Sequence, residues 1–371
     1  MMLNSPVTEF GQFTIMIMAG GTGGHVYPAM AVADYLKEHG WKIVWLCTEN
    51  GMENRLIEGK QYARATITMR GVRGKGSLSW LLLPYKLTIA FKQSYMAIRQ
   101  HQPDVVLGMG GFAAFPGGLM AKVLGKSLII HEQNSVAGLT NKVLSLFANQ
   151  TLAAFPSAFS NSAILVGNPV RLDITQQASP ELRYNQRTGN LNLLIVGGSL
   201  GAAALNEILP KALAGFVNGS SAQFNTVKFN VVHQAGEKHI AQLQANYKAA
   251  NVNADARAFI KNMAEMYAWA DIVICRAGAL TVAELACIGV ASILVPFPHA
   301  VDDHQTTNAK YLSYAGAAKL IAQSEFNVQK ATEILRELTR EICLEMAIKA
   351  KKLAKPDATI SVAKICMELA R

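Results

Sequence analysis

Two segments of this chain repeat one pattern: an apolar run, a glycine-rich turn, then a stretch that reads as a helix. The first is FTIMIMAGGTGGHVYPAMAVADYLKEHG, starting at Phe13, and the second is LNLLIVGGSLGAAALNEILPKAL, starting at Leu191. In the first, Pro28 suits an opening helical turn and Gly40 a C-terminal cap. More apolar runs follow each start: WKIVWLCT, DVVLGMGG and KSLIIHEQN in one half, and KFNVVHQAG, ARAFI, DIVIC and ASILVPFP in the other. They are continuous rather than alternating, as expected for strands of a parallel sheet covered on both faces. The expected fold class is therefore α/β, with two doubly wound, Rossmann-like domains.

The polar, Pro-containing stretch from Gly167 to Asn190 reads as the linker, which divides the chain into 1–166 and 167–356. Pro356 interrupts the C-terminal helical region, and a last helix at 357–371 is expected to rejoin the first domain. Strand-to-helix turns at the carboxyl edge of a parallel sheet are where ligands bind. Both domains carry glycine turns there, which implies an interdomain cleft and two substrates.

AGGTGGHVYP is not a dinucleotide fingerprint, because Val26 stands where the third glycine of GxGxxG belongs. Nor is it a Walker A loop, since no Gly-Lys-Ser/Thr follows. What remains is a run of bare backbone N–H groups ahead of a helix N-terminus, which fits either a phosphate or simply a tight β–α turn. GMGGFAAFPGG, with Gly110 and Gly111, is a second such turn, and VGGSLGA, with Ser199, a third. Three of them at strand ends favour phosphate-bearing substrates. In CRAGALTVAEL the strand ends at Arg276, and a turn of small residues leads into a helix. The N–H groups of Ala279, Leu280 and Thr281 could hold a phosphate there. Glu284, a turn deeper, could accept ribose hydroxyls or simply favour the helix N-terminus.

The 371 residues are 51% hydrophobic and 16% charged, enough for two cores and too apolar for a disordered chain. Five scattered cysteines without a CxxC motif read as reduced thiols of a cytosolic protein. MMLNSPVTEF has neither a basic nor an apolar signal region, and no apolar run approaches the roughly 18 residues of a membrane span. The formal charge of +10 suits an anionic partner: nucleic acid, a membrane surface or a polyphosphate. HEQNS lacks the second histidine of HExxH, and Asp302–Asp303 reads as a solvated or capping pair, so no metal site is expected.

Taken in order, GGTGGHVYPA, RGVRGKG, PDVVLGMGGFAAFPGGLMAK, HEQNSVAGLTNK, GNPVR, GGSLGA, CRAGALTVAE and DDHQTTNA span nearly the whole chain. In these segments it closely resembles glycosyltransferase family 28, in the branch acting in bacterial peptidoglycan synthesis. The resemblance implies a GT-B fold and inverting transfer of N-acetylglucosamine (GlcNAc) from UDP-GlcNAc to the 4-hydroxyl of lipid I, the undecaprenyl-pyrophosphoryl muramyl pentapeptide, giving lipid II. It implies no cofactor and no metal.

Carried over residue by residue, Thr22, Gly23, Gly24, Asn134, Arg171, Ser199, Ile260, Ala279, Leu280, Thr281, Val282, Ala283, Glu284 and Gln305 match positions that bind UDP-GlcNAc. Ile260 would hold the uracil through backbone polar atoms, and Gln305, beside His304, would reach the sugar hydroxyls. Gly21, Gly23 and Gly24, with Gly110 and Gly111, would face the acceptor diphosphate. His25 is the candidate base or positions the acceptor, and Glu132 is the competing carboxylate. Two departures stand out: Leu200, where relatives commonly carry glutamine, and Phe112, where many carry tyrosine.

In RGVRGKGSLSWLLLPYKLTIAFKQ, the basic residues Arg70, Arg73, Lys75, Lys86 and Lys92 flank Leu78, Trp80, Leu81, Leu82 and Leu83. Basic and apolar residues side by side suit an anionic bilayer surface as well as an ordinary loop and helix, and a polyprenyl acceptor favours the bilayer. The partners implied are UDP-GlcNAc, lipid I and that surface, on the cytoplasmic face of the bacterial inner membrane. Other cell-wall synthesis proteins are further partners of this setting. No nucleic acid is implied, since aromatic and basic residues are not interleaved as nucleic-acid binding would require.

Overall fold

The computed structural model describes residues 13–69, 82–159, 163–185, 187–198, 201–217 and 228–370. These form two compact units. The first comprises 1–133, 137–169 and 357–371, and the second 134–136 and 170–356.

The first unit runs β1 (Thr14–Met18), α1 (Gly23–Glu38), β2 (Lys42–Thr48), α2 (Met52–Leu56), β3 (Ala63–Ile67), α3 (Leu83–His101), β4 (Val105–Gly108), α4 (Ala114–Val123), β5 (Ser127–Glu132), α5 (Leu139–Ser145), β6 (Gln150–Ala153) and β7 (Ile164–Leu165). Among the described residues its seven strands are all parallel, in the order β3-β2-β1-β4-β5-β6-β7. Strand β1 shows why the apolar runs are continuous. Ile15 and Ile17 face one core, with Val26, Val32 and Leu36 of α1, while Met16 and Met18 face another, with Ala90 and Ile98 of α3. All four are fully buried, each worth about 1.5–3 kcal/mol.

The second unit runs α6 (Leu172–Thr175), α7 (Pro180–Asn185), β8 (Leu191–Val196), α8 (Ala203–Val217), β9 (Phe229–Gln234), α9 (Ile240–Ala249), β10 (Asp255–Arg257), α10 (Met263–Trp269), β11 (Ile272–Cys275), α11 (Ala279–Ile288), β12 (Ala291–Leu294), α12 (His304–Ser313), β13 (Ala318–Leu320), α13 (Val328–Arg336) and α14 (Arg340–Lys352). Its parallel sheet has the order β10-β9-β8-β11-β12-β13. The final helix, α15 (Ala358–Leu369), belongs to the first unit, where Val362, Ala363 and Cys366 join the core that α1 lines.

Two expectations change. Helix α1 starts at Gly23, so Pro28 is its sixth residue rather than part of its opening turn. Glycine's weak helix propensity hides this start in the sequence. Most of Gly167–Asn190 is not a free linker but is folded into the second unit. Tyr184 is buried in that unit's core and donates to the Asp271 carbonyl at 2.6 Å. Arg183 donates to the Ile288 carbonyl at 2.8 Å and so caps the C-terminal end of α11.

Both sheets reverse strand order beside their first strand, at β1/β4 and β8/β11. That reversal is the topological switch point, where the following loops diverge and leave a crevice. The glycine turns after β1 and β4, and those after β8 and β11, stand at these two points.

Candidate active-site elements

At the β1/β4 switch point two glycine turns pack back to back. The Gly20 N–H donates to the Gly110 carbonyl at 3.3 Å. Gly111 lies at φ +92°, and a Cβ there would come within 2.6 Å of the Gly20 oxygen, so no other residue fits. Under the first turn sits Glu53, fully buried, which accepts from the Thr48 N–H and hydroxyl at 2.8 Å each and from the Gly21 N–H at 3.4 Å. This carboxylate fixes the height of the turn.

Thr22 caps α1 in an extended conformation without a side-chain hydrogen bond, and no acidic residue occupies the first helical turn. The helical bonds begin with the N–H groups of His25 and Val26, both on the Thr22 carbonyl. The Gly23 and Gly24 N–H groups lie ahead of them, at the positive end of the dipole. A Cβ at Gly21 would meet nothing within 4 Å. The arrangement leaves the first-turn donors open, as an anion site requires.

His25 follows directly and is half-buried. Its Nδ1 is 2.6 Å from Gln133 Oε1. Gln133 Nε2 is 2.9 Å from His131 Nδ1 and donates to the His131 carbonyl at 3.0 Å. His131 Nε2 lies 2.9 Å from the Gly167 carbonyl. His131 and Gln133 are buried, and burial pushes the His131 imidazole down to about 4.

Glu132, the competing carboxylate, is buried as well. It accepts from the Gly138 N–H at 3.1 Å and the Asn141 amide at 2.8 Å, holding the turn that leads into α5. This geometry serves structure better than proton transfer. The HEQN segment divides here, since Asn134 counts with the second unit. There, buried Asn308 donates to Asn134 Oδ1 at 3.3 Å and to the Ala277 carbonyl at 3.2 Å, and accepts from the Ser135 N–H at 2.8 Å.

At the β8/β11 switch point, Ser199 and Leu200 lie outside the described residues. Gln234, at the end of β9, donates to the Gly198 carbonyl at 3.1 Å and accepts the Ile260 N–H at 2.9 Å. Of the Ile260 backbone polar atoms expected to meet the uracil, the N–H is thus already engaged. Helix α11 opens at Gly278 with no side-chain cap and no acidic residue in its first turn, so the N–H groups of Ala279, Leu280 and Thr281 lie ahead of the helical bonds, as those of Gly23 and Gly24 do in α1. Val282 and Glu284 of the same helix are buried, while Ala283 is partly exposed.

Glu284 accepts from the Tyr267 hydroxyl at 3.3 Å, and its Oε1 lies 3.7 Å from Arg171 Nη2. Burial raises its carboxyl to about 7, against the opposing pull of Arg171. Gln305 Oε1 accepts the Phe297 N–H at 2.9 Å. Its helix follows Asp302 and Asp303, both exposed and both at positive φ, 53° and 47°. Among the described residues, no three His, Cys, Asp or Glu side chains group as metal ligands would.

The sequence pattern singled out both glycine turns, His25 and Glu284. It missed Glu53, His131, Gln133, Gln234 and Asn308, each of which acts through partners far away in the chain. Of the proposed membrane patch, Lys75, Leu78, Trp80 and Leu81 lie outside the described residues. Leu82 is exposed, as is Tyr85, and Lys86 is partly exposed on α3. Among the described residues no helix is long and apolar enough to cross a membrane. Phe112 is exposed beside the Gly110–Gly111 turn.

Two parallel, doubly wound sheets, each with glycine turns and an uncapped helix start at its switch point, make the GT-B architecture of nucleotide-sugar glycosyltransferases. The chain belongs to glycosyltransferase family 28: the family's N-terminal domain matches residues 15–153 and its C-terminal domain residues 192–361. It is 54% identical over 358 residues to a protein of Nitrosospira multiformis, covering 96% of this chain and 98% of that one. A Dechloromonas aromatica protein is also 54% identical, with 96% and 99% covered. Both relatives are named UDP-N-acetylglucosamine–N-acetylmuramyl-(pentapeptide) pyrophosphoryl-undecaprenol N-acetylglucosamine transferase. Among solved structures, Acinetobacter baumannii MurG is similar at a TM-score of 0.83 and 42% identity, covering 96% of this chain and 99% of that one.

Proposed function

We propose that this chain is an inverting transferase that moves GlcNAc from UDP-GlcNAc to the 4-hydroxyl of lipid I, making lipid II for peptidoglycan. The observation that carries this reading is 54% identity over 96% of the chain to a relative named for that transfer. The site chemistry agrees with it. The 4-hydroxyl oxygen attacks C1 of GlcNAc, the bond from C1 to the diphosphate oxygen breaks, and configuration inverts. The hydroxyl proton passes to His25, and the departing electron pair goes to UDP.

The second unit takes the donor. The N–H groups of Ala279, Leu280 and Thr281 receive its diphosphate, where aligned donors and the helix dipole stabilise the growing negative charge. Glu284 accepts ribose hydroxyls, and Arg171 both tempers that carboxylate and adds positive charge beside the phosphates. The Ile260 carbonyl meets the uracil, Gln305 the sugar hydroxyls, and Ser199 the diphosphate; Thr22 and Asn134 complete the donor contacts. In the first unit, Gly21, Gly23 and Gly24, with Gly110 and Gly111, cradle the acceptor diphosphate. The chain rests on the anionic cytoplasmic face of the inner membrane through Leu78, Trp80, Leu81 and Leu82, with Lys75 and Lys86. The exposed Leu82 and Tyr85 at the start of α3 support that seat.

The test is to incubate purified protein with UDP-GlcNAc and a lipid I analogue. UDP release with formation of a disaccharide lipid is expected. Folded protein without turnover, or turnover with UDP-glucose in preference, overturns the assignment.

A further inference from the structure

Beyond the reaction itself, the side chains behind His25 form a continuous hydrogen-bonded line that ends on two backbone carbonyls. A carbonyl oxygen only accepts, so these two ends decide every proton between them. The atom of Gln133 that lies 3.0 Å from the His131 carbonyl must be its amide nitrogen, because only that nitrogen can donate. The same nitrogen faces His131 Nδ1 at 2.9 Å, so Nδ1 must accept and carries no proton. His131 Nε2 faces the Gly167 carbonyl at 2.9 Å and must donate, so its proton is there. Burial keeps this imidazole neutral, which agrees with a single proton at Nε2. Gln133 then presents its oxygen to His25 at 2.6 Å, and His25 Nδ1 must be the donor.

From this line we infer that Gln133 and His131 are positioning residues which lock His25 in the tautomer protonated at Nδ1, leaving the Nε2 lone pair for the incoming hydroxyl. The inference rests on the transferase reading for the identity of that hydroxyl, but not for the tautomer itself. A free histidine side chain in water favours the opposite tautomer, so the device has something to overcome. When Nε2 takes the hydroxyl proton, His25 becomes a cation that still donates from Nδ1 to the Gln133 oxygen. The proton goes no further, because the Gln133 oxygen has no proton to pass on and His131 Nδ1 already accepts from the amide. His25 therefore holds the proton until solvent removes it. The line positions and does not relay.

One glycine, Gly110, flanks the ring. A Cβ at Gly110 would come within 3.0 Å of the His25 ring, so the imidazole lies against bare backbone on that side.

The test uses the full chain labelled with ¹⁵N at histidine, with long-range ¹H–¹⁵N spectra assigned through His25→Gln and His131→Gln. We expect His25 as the Nδ1–H form and His131 as the Nε2–H form. Gln133→Met keeps the side-chain length but removes both hydrogen-bonding atoms. It should move His25 toward Nε2–H and lower kcat roughly ten- to hundredfold, up to the lower end of a general base's full contribution of about 10²–10⁴-fold, with the KM for UDP-GlcNAc within about twofold. An Nε2–H form of His25 in the unmodified protein overturns the inference whatever becomes of the variant, and leaves the transferase reading standing if lipid II is made. Conversely, the stated tautomers in a protein that makes no disaccharide lipid sink the transferase reading and leave the locked histidine. A Gln133→Met protein with an unchanged His25 tautomer also overturns it.

Discussion

Arg171 stands with its Nη2 3.7 Å from Oε1 of Glu284, a carboxyl that burial raises to about 7. The two residues come from the segments GNPVR and CRAGALTVAE, and the structure brings them together where α6 meets α11. Arg171 is partly exposed, whereas Glu284 is nearly enclosed. The arginine therefore offsets only part of the cost of burying the charge.

That cost makes a pH-dependent contribution to stability. A carboxyl whose value rises from 4.5 in the unfolded chain to about 7 in the fold binds its proton more tightly when folded. The stability it contributes is complete below pH 4.5 and is lost as pH rises through 7, about 3 kcal/mol in all. Glu284→Gln removes the titration. The difference in unfolding free energy between Glu284→Gln and the unmodified protein should therefore favour the variant more at pH 8 than at pH 5, measured by urea unfolding at both. At the same time the affinity for UDP-GlcNAc should fall, because an amide is a weaker acceptor for ribose hydroxyls. Equal stability differences at the two pH values would contradict the assigned burial cost.

Glu132 and His25 compete for the role of base, and their surroundings separate them. Glu132 accepts hydrogen bonds from Gly138 and Asn141 inside the fold, while His25 is half-buried beside an open glycine turn. Glu132→Gln should cost about 1–3 kcal/mol of stability, the price of a disturbed buried hydrogen-bond pair. Its kcat per folded molecule should stay within about threefold. His25→Gln should do the reverse, keeping stability within about 0.5 kcal/mol and losing roughly a hundredfold or more in kcat. Thermal unfolding and a UDP-release assay on both variants check this. A stable Glu132→Gln protein with a hundredfold loss would reverse the two roles.

The apolar runs made the parallel strands legible because β1, β4, β8 and β11 are covered on both faces, so their burial leaves no polar alternation. The glycine turns were legible for a related reason, since close backbone approach at Gly111 admits nothing larger. Their supports were not. Glu53 holds the Gly21 turn from beneath, Gln133 sits 108 residues from His25, and Asn308 lies 173 residues from Ser135. A single buried polar side chain has no periodicity of its own, and only the sheet order sets its distant partners beside it. The start of α1 was misplaced at Pro28 because Gly23 and Gly24 are poor helix formers.

Gln234 offers the clearest case of such a hidden support, and its consequence is measurable. Its amide nitrogen holds the Gly198 carbonyl and its oxygen holds the Ile260 N–H, which couples the glycine turn after β8 to the segment proposed to meet the uracil. Gln234→Leu removes both bonds and strands the Ile260 N–H of a buried residue, at a cost of about 1–3 kcal/mol. Gln234→Glu keeps an acceptor for Ile260 but loses the donor to Gly198, so it separates the two contributions. In steady-state kinetics the leucine variant should raise the KM for UDP-GlcNAc about tenfold, equivalent to one lost hydrogen bond of about 1.4 kcal/mol. Its kcat should change less than about threefold, because the proton and the breaking bond lie elsewhere. The glutamate variant should fall between the two if Ile260 carries most of the effect. A loss confined to kcat would show that this residue acts on the chemical step, and would remove the uracil from the Ile260 segment.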